Sequence, residues 1–200
     1  MGAIGPVTIR ELLDRLDVAG ASLVEMSEIL ERALEEPASP PWEDVSGQLL
    51  THPEKAYPVR ELAEIDTVVV HHSGPPTDQR CTLDAIAAWH VWGTSDHKVE
   101  WPGIAYDVVV YADGRAYLVK PPDLVGYHCG EWNTRSVGIV LVGDYSDSAP
   151  PDAQLEAARQ VISWWRAQGL VTQIKAHREI RPTACPGELW REWVPRLWSA

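Results

Sequence analysis

Apolar positions recur along the chain with two periods that change near residue 60. Before it, Ile9, Leu12, Leu13 and Leu16 form one helical stripe and Leu23, Met26, Ile29, Leu30, Ala33 and Leu34 a second. Thr8 with Glu11 and Ser22 with Glu25 have the spacing at which side chains satisfy the free N–H groups of a helix start. Two short helices are therefore expected over 8–36, turning at Gly20, with the proline-rich stretch 37–41 as a linker. Nothing reactive lies on them, and they read as a packing or oligomerisation appendage.

After residue 60 the pattern becomes alternating α/β. The Val-rich run 66–71 predicts a strand, and 82–92 a helix capped by Thr82. Residues 104–120 predict a hairpin reversing at Asp113-Gly114. The unbroken apolar run SVGIVLVG at 136–143 predicts a buried central strand. A long helix over 151–169, a short strand over 171–176 and a terminal helix over 190–198 complete the order β-α-β-β-β-α-β-α. The expected fold is α/β, a mixed central sheet flanked by helices, divided into an N-terminal helical extension and linker (1–59) and an α/β domain (60–200).

Composition narrows the function. A net charge of −12 argues against a nucleic-acid surface, which needs a basic stripe. No apolar run approaches the roughly 18 residues required to span a bilayer. The N-terminus lacks the basic and apolar regions of a secretory signal. Ten Trp against no Phe suits carbohydrate or peptide grooves, although most of the indoles are expected in the core. Three cysteines are too few for a disulfide scaffold, leaving Cys81 and Cys129 to pair or to stay as buried thiols.

The candidate chemistry lies at strand ends. His177 precedes Cys185 by eight residues in a loop stiffened by Pro182 and Pro186, and His71 closes the first Val-rich strand. Should the three converge, two imidazoles and a thiolate make the three-donor set that catalytic zinc sites use, with the fourth position kept for water; taken singly, a strand-end His or a lone Cys is ordinarily a packing residue. His72 follows His71 and, by the alternation of a strand, points to the opposite face.

The stretches VVVHHSG, WPGIAYDVVVYADGRAYLV, GYHCGEWNTRSVGIVLVG and AHREIRPTACPG resemble, in order and spacing, those of the zinc-dependent N-acetylmuramoyl-L-alanine amidases of the type 2 amidase and peptidoglycan-recognition-protein superfamily. The resemblance covers roughly residues 60–195. It implies one zinc ion on His71, His177 and Cys185, and an oxyanion-stabilising phenol at Tyr106. Thr183 falls where phage members carry a lysine and recognition-protein amidases usually carry threonine, so this chain is closer to the latter. His128 and Asn133 match positions lining the substrate groove, and Trp101 a packing position. Arg178 and Glu179 flank His177 and are candidates for a hydrogen bond to it or to the loop.

The implied substrate is peptidoglycan, and the implied reaction is hydrolysis of the amide between N-acetylmuramic acid and L-alanine. The alternative is a recognition module that binds muramyl peptides without cleaving them; such members typically lack the cysteine. No Glu or Asp within the four stretches stands where it would have to carry the proton. Lack of a signal fits a phage endolysin that stays in the cytoplasm until released to the wall, or a mature form of a secreted enzyme.

Overall fold

The computed structural model describes residues 39–75, 81–93 and 100–198. The helices expected over 8–36 lie outside these residues. The described residues belong to a unit that begins at Ser39, ahead of the start expected at residue 60. Tertiary pairing accounts for the difference. Strand β1 (Glu43–Asp44) runs parallel to a later strand, and Trp42 packs against Trp164 and Trp165.

Six strands form one mixed sheet in the order β1-β4-β3-β5-β2-β6, with β2 at Thr67–His72, β3 at Val108–Val110, β4 at Ala116–Leu118, β5 at Ser136–Leu141 and β6 at Gln173–Ala176. Strand β2 has parallel neighbours on both sides, β5 and β6. That explains its unbroken apolar sequence, since a strand covered on both faces has no solvent side to populate with polar residues. The β3–β4 pair is the expected hairpin, and Gly114 takes a positive φ of 88° in the reversal.

Helices cover both faces. Helix α1 (Leu83–Trp92) starts at Thr82, whose hydroxyl accepts from the Ala85 N–H at 3.2 Å, and buries Ile86 and Ala87 with Val109 and Val140. Helix α2 (Asp152–Ala167) buries Leu155, Ala158, Val161, Ile162 and Trp165 against Val68, Val70 and Ile139.

Two elements differ in detail from the sequence reading. His177 does not sit in a loop; it opens a one-turn helix, α3 (His177–Ile180), because the Glu179 carboxylate accepts from the Ala176 N–H at 2.7 Å. The terminal helix breaks into α4 (Trp190–Trp193) and a 3-10 turn (Val194–Leu197) at Pro195, which has no N–H to continue the α-helical ladder. Of the indoles, Trp165 and Trp193 are fully buried and Trp92 is exposed. Cys81 and Cys129 are buried thiols with no disulfide between them. Among the described residues no helix is long and apolar enough to cross a membrane.

Candidate metal centre

The register of β2 and β6 creates the site. Val70 pairs with Ala176, so the next residue of each parallel strand, His71 and His177, emerges side by side at the carboxyl edge, where open α/β sheets bind their ligands. The two ring centroids are 4.4 Å apart. Cys185 arrives from the loop after α3, and its Sγ accepts from the backbone N–H of His72 at 3.3 Å. That loop is fixed by Arg178, which donates to the Gly187 carbonyl at 2.9 Å and pairs with Glu188. It can approach so closely only through glycine: a Cβ on Gly187, at φ 108°, would stand 1.7 Å from the Tyr145 carbonyl oxygen.

One donor atom from each of His71, His177 and Cys185 lies within 4.8 Å of the others. His71 Nδ1 is 3.7 Å from Cys185 Sγ. Nitrogen and sulfur bound tetrahedrally to one zinc at about 2.0 and 2.3 Å would be separated by about 3.6 Å, so the donor spacing fits that ion. His177 Nε2 is buried and has no hydrogen-bond partner among the described residues.

Electrostatics suit the same use. Burial, then the neighbouring histidines, holds His71 well below the usual imidazole range; burial and Arg181 bring His177 down to about 4. Both rings therefore keep a lone pair at neutral pH. Burial pushes Cys185 up to about 12, so the sulfur keeps its proton until a cation displaces it.

Tyr106 stands over His71, ring centroids 5.1 Å apart, on the segment entering β3. His90 steadies that segment by accepting from the Ala105 N–H at 3.2 Å. Burial, with the Cys185 and Cys81 thiols, raises the phenol above its ordinary range, so it is a hydrogen-bond donor and not a phenolate. Trp101 stacks on Tyr127 as a packing residue. Thr183 Oγ1 accepts from the Cys185 N–H at 3.2 Å, which caps the loop and leaves the hydroxyl proton available.

His128 and Asn133 lie behind this cluster. His128 is only 7% exposed, and its Nδ1 is 3.0 Å from His71 Nε2. Asn133 Oδ1 is turned inward and accepts from the backbone N–H groups of His128 and Cys129 at 3.0 and 2.8 Å. Both residues thus help to build the surround of His71. Arg178 and Glu179 are likewise committed to the loop and to the start of α3, and neither bonds the His177 ring.

Beneath His128 lies a charged group that sequence reading missed. Asp107 is fully buried between Lys120, Nζ to Oδ1 2.5 Å, and Arg60, Nη2 to Oδ1 3.8 Å. Its other oxygen accepts from the Gly138 N–H at 2.6 Å. Arg60 also donates to the carbonyls of Asn133 and Ser136, and Lys120 to that of Leu124. Gly138 leaves the space that the His128 ring fills, because a Cβ there would meet its Cγ at 2.8 Å. Gly138→Ala is expected to cost about 1–3 kcal/mol through overpacking, read from denaturant midpoints. An unchanged midpoint would show that the ring is not held as described.

Fold and site define a mixed-sheet α/β domain that gathers a His–His–Cys donor set and a protonated phenol at one strand edge. The chain belongs to the N-acetylmuramoyl-L-alanine amidase family, whose pattern matches residues 61–188. It is 32% identical over 125 residues to peptidoglycan-recognition protein LB of Drosophila melanogaster, covering 60% of this chain and 53% of that protein, so it spans about half that relative's length. Among solved structures, the Ph2119 endolysin from Thermus scotoductus MAT2119 bacteriophage Ph2119 superposes with a TM-score of 0.60 at 26% identity, over 74% of this chain and 92% of the endolysin. A human peptidoglycan recognition protein, PGRP-Iβ C, in complex with glycosamyl muramyl pentapeptide shares the fold, with a TM-score of 0.63 at 20% identity, over 75% of this chain and 92% of that one.

Proposed function

We propose that this protein is a zinc-dependent N-acetylmuramoyl-L-alanine amidase that acts on peptidoglycan at the cell wall. One observation carries the reading: the three-donor set converges beside Tyr106 in a chain of this family. Recognition modules of the superfamily typically lack the cysteine, so Cys185 favours hydrolysis over binding alone. The muramyl pentapeptide held by the human relative supports the substrate class.

A zinc ion held by His71, His177 and Cys185 would supply Lewis acidity at the scissile carbonyl and lower the pKa of an attacking water. The chain's own residues do the rest. Neutral His71 and His177 present lone pairs, and the His72 N–H supports the charge of the Cys185 thiolate. Tyr106 donates its hydroxyl to the oxygen that becomes negative as the carbonyl is attacked. Thr183, whose oxygen accepts from the Cys185 N–H, keeps its proton to donate and would act there as a neutral group, without the charge of the phage lysine.

The test is a peptidoglycan zymogram run with and without chelator, followed by mass analysis of the released fragments. Chelator-sensitive lysis releasing free L-alanine amino termini is expected. Wall binding without release would replace this reading with the recognition module, and release of other termini would reassign the bond. Tyr106→Phe is expected to lower kcat by about 10²-fold, the typical effect of losing one oxyanion donor. Zinc content should stay that of the parent protein, and an unchanged kcat would remove the phenol from the reaction.

A further inference from the structure

We infer that His128 is a positioning residue for the metal centre: it accepts the Nε2–H of His71 and so holds that ring in the tautomer whose Nδ1 lone pair faces the donor cluster. The inference rests on the zinc reading above. A neutral imidazole carries one N–H and one lone pair. The nitrogen of His71 facing Cys185 Sγ, at 3.7 Å, is Nδ1. A lone pair there requires the proton on Nε2, inside a site where His71 is 1% exposed. A buried N–H without an acceptor is costly, and His128 Nδ1 at 3.0 Å is the acceptor.

His128 is built for this geometry. The two ring planes are perpendicular, with centroids 5.1 Å apart and His128 Nδ1 3.0 Å from His71 Nε2. Asn133 Oδ1 fixes the His128 backbone, and Gly138 opens the room for the ring. Acceptance at Nδ1 places the proton of His128 on Nε2, a buried atom, and the ring has the Ser136 backbone as a hydrogen-bonding neighbour. The orientation of His71 is thereby set before any ion arrives.

The test uses the full chain and the zinc ion alone as probe. Zinc affinity is measured by competition with a chromophoric chelator for the parent protein, His128→Leu and His128→Asn, with folding followed by circular dichroism. The asparagine can place an oxygen acceptor close to the lost Nδ1, whereas the leucine cannot. His128→Leu is expected to lose about 10–100-fold in zinc affinity, the usual effect of removing a partner of a metal-bound histidine. His128→Asn should recover most of it.

Equal affinity in parent and leucine variant would overturn the role. Equal loss in both variants would make His128 a packing residue and overturn it as well. A parent protein that binds no zinc would instead overturn the metal reading itself. Independently of any variant, nitrogen-15 NMR of the metal-free parent should show His71 protonated at Nε2. Protonation at Nδ1 would overturn the inference even if both variants failed to fold.

Discussion

Zinc binding and release of muramyl fragments are both expected to vanish in Cys185→Ser, while the sheet remains intact. Loss of a partner that merely orients a metal-bound histidine costs about 10–100-fold in affinity, and loss of a donor atom costs more. Serine has no soft anionic sulfur to offer, and the two histidines alone leave half of a tetrahedral shell to solvent. The fold survives because Cys185 is only partly buried, on a loop that Arg178 and Gly187 anchor independently. A thermal readout separates binding from catalysis. Zinc at 100 times its dissociation constant stabilises the parent by about 2.7 kcal/mol. For a unit of this size that raises Tm by roughly 5–10 °C. The variant should show no such rise; a rise equal to that of the parent would remove Cys185 from the site.

Asp107→Asn is expected to destabilise the protein by about 3–5 kcal/mol, the usual result of leaving buried charge unpaired. The carboxylate is the counterion of two cations that are themselves almost fully buried, Lys120 at 1% and Arg60 at 6% exposure. A neutral amide keeps the shape and removes the charge. In a protein of this length the midpoint of thermal unfolding should fall by roughly 6–20 °C. Asp107→Leu combined with Lys120→Met should be less destabilised than either single substitution, because the pair would be removed together and not broken. A single variant that melts with the parent would mean that the ion group contributes nothing. Loosening should reach the site as well, since Asp107 ties down the Gly138 N–H beneath His128.

The sequence made the elements of the sheet legible wherever burial dictated residue type. Unbroken Val runs marked β2 and β5 because both have parallel neighbours, and Thr82 and the 151–169 stripe marked the two long helices. Strand β1 escaped notice: two residues, Glu43 and Asp44, carry no periodicity, and only their pairing with β4 makes them a strand. The convergence of His71, His177 and Cys185 was visible as three strand-end or loop residues and a family pattern, and the geometry brings them together.

What could not be read was what each residue behind them touches. His128 and Asn133 stood out as polar residues in a glycine-flanked stretch. Nothing in that stretch revealed that they face inward to His71 and to their own loop. The Asp107, Lys120 and Arg60 group was hidden for a similar reason. A charged residue in a strand pattern reads as solvated, and its burial follows from partners 13 and 47 residues away that only the fold brings near.

The pairing of β2 with strands that begin at Ser136 and Gln173 also governs how the molecule comes into being. During synthesis, His71 leaves the ribosome more than a hundred residues before its neighbour His177, and β2 must wait for both β5 and β6. Such distant pairings are slow to form, because chain closure has to precede any gain from contact. An ion cannot template the early stages of this process, since no partial chain ending before Cys185 holds the full donor set. On the zinc reading proposed above, metal loading would wait for a chain made through Cys185, and a product stalled or clipped before it would lack the sulfur donor.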